Sequence, residues 1–331
     1  MIKVLFITTG GTIASDITNN GLKPKYNGKD LLKSVHGLND KFQIEILELM
    51  NLDSSNVQVE EQKIMAKAIY DNIDRFDGIV LTHGTDTMSY TASILSFMLV
   101  NLNKPVIITG SQLSISDPLT DARNNIYTAF LAVKHNICGV NIAFDRKIIR
   151  GCRSSKVRTL GFNAFSSINI LPIAKVYSDG IHIIDSLLLK KNKKPLVLNL
   201  DVSNDVFLLK LIPGTNPKIF SQVRDLGYKG IVVEAFGVGG LHYFRRNLIK
   251  ELEKITLDFP IVVCSQCLYE KSDLSVYEVG KLLLEAGVIE ARDMTTEAAV
   301  TKLMVTLGKY DTVEEIKKSF NTNFCGEISL D

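Results

Sequence analysis

The sequence predicts an α/β fold in two domains, a larger N-terminal one with a mainly parallel sheet and a smaller C-terminal one of the same class. Three observations carry this. Short apolar runs alternate with stretches of helical spacing, the rhythm of strand–helix–strand units. The runs are apolar at consecutive positions, as strands covered on both faces require. The chain has 331 residues, 46% of them apolar, enough to bury two cores.

Val4–Thr8, Gly78–Thr82, Pro105–Thr109 and Val140–Phe144 read as the buried N-terminal strands. Ile64, Ala68, Ile73 and Phe76 space out one helical face, Ile94, Leu95, Met98 and Leu99 a second, and Ala122, Ile126, Ala129, Phe130 and Val133 a third. Helices of this length between strands imply right-handed crossovers. After Asp185 the pattern loosens. The run Lys190-Lys191-Asn192-Lys193-Lys194, followed by Pro195, reads as a solvated linker. Strands then resume at Val206–Leu211, Gly230–Glu234 and Pro260–Cys264, with helices at Leu248–Ile255, Val276–Leu284 and Thr296–Leu307. The expected boundaries are residues 1–186 for the first domain, 187–204 for the linker and 205–331 for the second. No internal repeat or low-complexity tract is visible.

Charged residues are 22% of the chain and the net charge is +2, which gives no electrostatic case for nucleic acid or an anionic membrane as partner. No apolar stretch is long enough to span a bilayer, and the first residues enter a strand rather than a signal sequence, so the cytoplasm is the expected compartment. Five cysteines in a chain of this length imply no disulfide framework. Cys264 and Cys267 have redox or zinc spacing, but no second close Cys/His pair accompanies them. They read as small residues at a strand end, and neither a metal nor a cofactor is expected.

Three N-terminal strands end alike: in Thr9-Gly10-Gly11-Thr12, in Thr82-His83-Gly84-Thr85-Asp86-Thr87 and in Thr109-Gly110-Ser111-Gln112. In an open parallel sheet the carboxyl ends of the strands line the ligand crevice. Glycines there let backbone approach a ligand and aim N–H groups at it. One edge is thus expected to present Thr12, Thr85, Ser111 and the Asp86 carboxylate. The phosphate-binding patterns of nucleotide sites are absent, and Gly237–Gly240 is too short to supply one. A threonine nucleophile needs activation, and no histidine has a triad context. His83 reads as a packing residue. Lys156, a short connection after the fourth strand, is the candidate base, since burial would favour its neutral form.

The paired motifs Thr9–Ala14 and Thr82–Met88 resemble the signature of bacterial-type L-asparaginases, and the match is closer to the cytoplasmic type I group. Met50–Ser55, Ile108–Gln112, Asp121–Asn125, Ser155–Arg158, Gly230–Glu234 and Ser265–Leu268 extend the likeness over nearly the whole chain. The resemblance implies a two-domain asparaginase-like fold with a flavodoxin-like C-terminal domain, and hydrolysis of L-asparagine to L-aspartate and ammonia. It implies Thr12 as nucleophile, Thr85 paired with Lys156 as the second catalytic group, and Asp86 on the substrate α-ammonium. It also implies Ser54 on the α-carboxylate with Asp53 and Ser55 beside it, and Gly11 and Gly84 as backbone contacts. Such a division suits a zwitterion, which needs an anion at one end and donors at the other. The resemblance further implies a homodimer or dimer of dimers. In one respect the chain departs from it: Leu22 stands where several type I members carry a lid tyrosine, and Tyr26 is the possible substitute. Two other readings are an ammonia-generating subunit of a tRNA-dependent amidotransferase, or an amidase with substantial glutaminase activity. That subunit usually carries an extra segment before the first motif, which here begins at residue 9. A non-catalytic amino-acid-binding regulator, the reading of another class, would be expected to lose Thr12, Thr85 or Lys156.

Overall fold

The computed structural model describes residues 1–18 and 21–329, with only the backbone described at 17, 18 and 21–24. It divides into two compact units, Met1–Leu200 and Asp201–Asp331.

The first unit runs β1 (Ile2–Gly10), β2 (Ser15–Thr18), β3 (Gly21–Pro24), α1 (Gly28–Lys33), β4 (Phe42–Leu52), α2 (Val59–Asn72), β5 (Gly78–Thr82), α3 (Met88–Met98), β6 (Leu99–Val100), β7 (Pro105–Thr109) and α4 (Ala122–Lys134). It continues with β8 (Gly139–Phe144), β9 (Lys147–Arg150), β10 (Ser154–Lys156), β11 (Phe165–Ser167), β12 (Ala174–Tyr177), β13 (Gly180–Ile183) and β14 (Val197–Leu198). Eight strands form one sheet in the order β13-β12-β9-β8-β7-β5-β1-β4. From β4 to β8 neighbours are parallel, and the far side turns antiparallel at β9, β12 and β13.

Register positions the site. Thr8 of β1 stands opposite Thr82 of β5, which stands opposite Thr109 of β7. Three strands therefore end level, and the three glycine turns leave one edge of the sheet side by side. β5 and β7 are buried at every residue, as their consecutive apolar residues predict. β4 is different. It is an edge strand with alternating exposure, and Glu45 and Glu48 interrupt its apolar pattern.

The helices follow the expected faces with one correction. α4 buries Ala122, Ile126, Ala129, Phe130 and Val133, and the Phe130 ring lies 5.1 Å from Phe42 and 6.0 Å from Phe6. α3 is buried at ten of its residues, Met88, Ser89 and Thr91–Met98. In α2 the buried face is Val59, Gln62, Met65, Ala66 and Ile69, whereas Ile64 is 50% exposed. The face is thus rotated from the predicted one. The helix begins at Val59 with Glu61 reaching back to cap Gln58, and the first buried turn sets the rotation. The lysine-rich run is exposed, and hydrogen bonds tie it to the first unit. The Asn103 carboxamide and the Asn192 backbone bond reciprocally at 2.8 and 2.7 Å, Asn101 holds Pro195 O at 3.0 Å, and β14 pairs with β6.

The second unit runs β15 (Val206–Lys210), α5 (Ile219–Asp225), β16 (Gly230–Ala235), α6 (Leu248–Leu252), β17 (Ile261–Ser265), α7 (Glu278–Glu285), β18 (Ile289–Glu290), α8 (Thr296–Lys309) and α9 (Val313–Phe320). Its four strands pair in sequence order, all parallel, around a separate apolar core. Lys302 of α8 is fully buried. It donates to Glu327 at 2.7 Å and to the carbonyls of Phe320 and Thr322, which fastens the residues after α9 onto α8. Among the described residues no helix is long and apolar enough to cross a membrane.

Candidate active site

The three turns touch through their glycines. Gly11 has φ +84°, and a Cβ added there would lie 2.5 Å from Gly84 N. One added at Gly84 would lie 2.6 Å from Ser54 Oγ, and one at Gly110 2.3 Å from His83 O. Only residues without a side chain let these backbones meet. Gly10, at φ +97°, seats the first turn on Leu52, and Gly11 N–H donates to Leu52 O at 2.9 Å. The first motif, the second motif and the Asp53-Ser54-Ser55 turn thus form one assembly.

Polar contacts then fix each motif. Thr9 Oγ1 donates to Thr82 O at 2.7 Å, and Ser15 Oγ to Gly11 O at 2.9 Å. His83 N–H donates to Thr109 O at 2.8 Å. His83 is wholly buried. Its ring bonds Gly84 O at 2.7 Å through Nδ1 and the Thr91 hydroxyl at 3.0 Å through Nε2, and Thr91 accepts from Gln62 at 3.2 Å. The carbonyl requires a donor at Nδ1, so the network assigns the neutral Nδ1–H tautomer. Desolvation lowers the His83 pKa to about 4, which keeps the ring neutral. It is a strut of the second turn, as its sequence context suggests.

Thr85, Asp86 and Lys156 meet directly. Lys156, at the end of β10, donates from Nζ to Thr85 Oγ1 at 2.8 Å and to Asp86 Oδ1 at 2.5 Å. Thr85 is buried, whereas the Asp86 side chain is 65% exposed and open to solvent. Paired with the Asp86 carboxylate, Lys156 stands as an ammonium and not as the neutral base expected of it. An ammonium has donors only, so the Thr85 proton must point elsewhere. Gln112 Oε1 lies 3.4 Å away to receive it, and Gln112 Nε2 donates to Thr159 O and Gly161 O at 2.9 and 3.2 Å. Ser54 is buried, and its Oγ accepts from Asp86 N–H at 3.2 Å, leaving its own O–H to donate. Thr87 Oγ1 donates to Ser54 O at 2.7 Å.

Other expected residues take different places. Asp53 and Ser55 are exposed and engage each other: Asp53 Oδ1 accepts from Ser55 N and Oγ at 2.8 and 2.6 Å, which holds the carboxyl below the usual range. They brace the turn that presents Ser54. Ser111 is not presented at the edge; it is buried, and its hydroxyl turns back onto Leu113 O, satisfied locally. The Tyr26 hydroxyl donates to Asp16 at 3.2 Å and its ring packs on the unit's core. The side chain of Leu22 lies outside the described residues. Thr12 is half-buried at the start of a short helical turn, and among the described residues its hydroxyl makes no hydrogen bond.

Two supports lie in stretches that the family likeness includes, Ile108–Gln112 and Asp121–Asn125, but sequence reasoning assigned Gln112 and Asp121 no role. Asp121, at the head of α4, accepts from the N–H groups of Gln112 and Leu113 at 3.0 and 3.2 Å and from Asn125, which itself donates to Gly110 O at 2.9 Å. A carboxylate beside an Asn four residues on was the available signal. Cys264 and Cys267 are separate thiols, and burial pushes the Cys264 pKa up to about 12, the state of an unreactive core residue.

Known proteins match along the whole chain. The family described as "Asparaginase, N-terminal" matches residues 3–189, and "Glutaminase/Asparaginase C-terminal domain" matches residues 205–320. The L-asparaginase of Thermococcus kodakarensis is 41% identical over 330 residues, covering 99% of each chain. A solved thermostable L-asparaginase from that organism superposes with a TM-score of 0.95 at 40% identity and full coverage of both chains. L-asparaginase I of Vibrio cholerae gives 0.88 at 30% identity over 99% of each. A glutamyl-tRNA(Gln) amidotransferase subunit from Methanosphaera stadtmanae is 36% identical over 335 residues, covering 97% of this chain and 76% of that one.

Proposed function

The chain belongs to the asparaginase family, and from that premise we propose that it hydrolyses L-asparagine to L-aspartate and ammonia with Thr12 as nucleophile. The contact that supports this most is the Lys156 ammonium joined at once to Thr85 Oγ1 and Asp86 Oδ1. Asp86, mostly exposed, offers its second oxygen to the substrate α-ammonium. The Ser54 hydroxyl, beneath it, donates to the α-carboxylate. Two opposite ends so held orient the side-chain amide towards Thr12.

Thr12 Oγ1 attacks the amide carbon. Its proton passes to the amide nitrogen, ammonia leaves, and an ester to Thr12 remains. Water then cleaves that ester, returning the hydroxyl and releasing aspartate. Among the described residues the N–H groups of Gly84 and Thr85 make no hydrogen bond, and they suit the oxyanion. Lys156, as an ammonium, polarises Thr85 and lowers the cost of charge near the reacting carbon. Gly11 contributes shape rather than a donor, because its N–H is taken by Leu52. The separate thiols of Cys138, Cys264 and Cys267 suit a reducing compartment, and the cytoplasm is the setting proposed. Self-association as a dimer or dimer of dimers completes the reading.

The test is ammonia release from L-asparagine by the purified protein, with Thr12→Ala and Lys156→Met beside it. Each substitution is expected to lower kcat by about a thousandfold or more without changing the circular dichroism spectrum. Undiminished turnover in Thr12→Ala would move the nucleophile elsewhere. One methylene separates asparagine from glutamine, about 1–3 kcal/mol in a pocket, so kcat/KM should favour asparagine by roughly 10–100-fold. Equal values would favour the broader amidase.

A further inference from the structure

The lysine-rich run that reads as a linker lines a cavity at the opposite end of the first unit's sheet. This cavity, of about 790 Å³, lies where β1, β5 and β7 begin, whereas the catalytic turns leave their other ends. Lys41, Lys104, Lys134 and Lys191 line it, against Asp77 as the sole carboxylate, and no arginine is among its lining residues. The Asp77 carboxylate already accepts from Lys3 N–H at 2.8 Å. A chain with a net charge of +2 thus gathers four cations around one hollow.

The surroundings hold these charges in place. Lys104 Nζ is fixed by three carbonyls, those of Ile73, Asp74 and Phe76, at 2.8–3.2 Å. Lys41 Nζ bonds the Tyr127 hydroxyl at 2.8 Å. Lys191 rides on the strap fastened by Asn192, whose carboxamide donates to Asn101 Oδ1 at 2.6 Å and whose backbone is locked to Asn103. Lys134 and Lys191 are exposed and, among the described residues, have no ion-pair partner. Four lysines set against Asp77, with Asp40 near Lys41, are only partly compensated and still repel one another, and a strap that orders them costs chain entropy. A multiply charged anion offsets both.

We propose that this cavity binds the polyphosphate group of a small molecule, free or carried by a nucleotide. Lysines are point-charge donors suited to a chain of tetrahedral phosphates, Lys134 and Lys191 with N–H groups to give and Lys104 by charge alone, its three N–H groups being spent on carbonyls. Planar carboxylates favour the arginine fork absent here. The volume falls in the range of small-molecule pockets, which favours such a ligand over a macromolecular surface. The site is separate from the catalytic edge.

Calorimetric titration of the full-length protein with tripolyphosphate, ATP and adenosine tests this. Tripolyphosphate and ATP are expected to bind saturably, adenosine not, and added salt to weaken both. A Lys134→Glu/Lys191→Glu protein, its asparagine turnover unchanged, should lose affinity for both by about tenfold or more. In the unaltered protein, tripolyphosphate should shield Lys134 and Lys191 from an amine-acylating reagent, read by peptide mass spectrometry, so the test does not depend on the variant folding. Absence of saturable tripolyphosphate binding, full affinity in the double variant, or shielding only at other lysines each overturns the site. Binding of ATP and adenosine without tripolyphosphate overturns it too.

Discussion

At the scale of single residues, His83 shows how a site can be built on a group that does no chemistry. Its ring is buried, neutral and bonded on both nitrogens, and its pKa falls from 6.5 to about 4. Between those values the unfolded chain holds a proton that the folded chain lacks. Stability is therefore full above pH 6.5 and falls as the pH drops towards 4, by about 3 kcal/mol over that window. Denaturant unfolding at about pH 7 and about pH 4.5 measures the slope, and a His83→Gln protein should show a shallower one. An unaltered slope would place the titrating group elsewhere. The residues proposed for the chemistry come together because the strands they follow end level, and that shared edge could be read from the motifs. Their partners were less so. Gln112 is indistinguishable in sequence from a surface amide, and only the fold brings it across to Thr85. Ser111 errs the other way: a hydroxyl after a glycine suggests presentation, but a nearby carbonyl captured it. Tyr26 meets Asp16 because its own loop folds back there, a local choice that spacing does not reveal.

Among the elements, consecutive apolar runs were the most legible signal. Gly78–Thr82 and Pro105–Thr109 are strands with the predicted bounds, since burial on both faces leaves no polar position to blur them. β4 escaped notice because an edge strand mixes glutamates into its apolar pattern. The rotated face of α2 has a similar origin: Ile64 is apolar but exposed, and helical spacing alone does not choose between adjacent faces. α4 contributes Ala122, Ile126, Ala129, Phe130, Ala132 and Val133 to the first unit's core. Phe130 is fully buried between Phe6 and Phe42, so Phe130→Ala is expected to cost about 3–5 kcal/mol in urea unfolding. A loss under about 1 kcal/mol would mean that the cavity collapses readily.

At the scale of the molecule, each unit has its own core and its own parallel strands. The buried Lys302–Glu327 pair belongs to the second alone, and Lys302→Met leaves a carboxylate stranded without its cation. A loss of about 3–5 kcal/mol is expected, confined to the second unit. Calorimetry should then resolve two transitions, and a single shifted one would show the units unfolding together. The interlocked glycine turns also have a consequence for time. Thr9 and Thr82 are 73 residues apart in sequence, yet the hydroxyl of one bonds the carbonyl of the other. Gly11 and Gly84 fit only after β1 has found β5 across the whole intervening chain, a slow, non-local event. A half-folded molecule thus has the right residues and no site. On refolding, turnover should return with the slowest spectroscopic phase and never before it, a race that stopped-flow fluorescence and an ammonia assay can run side by side. The enzyme is switched on by completing its sheet.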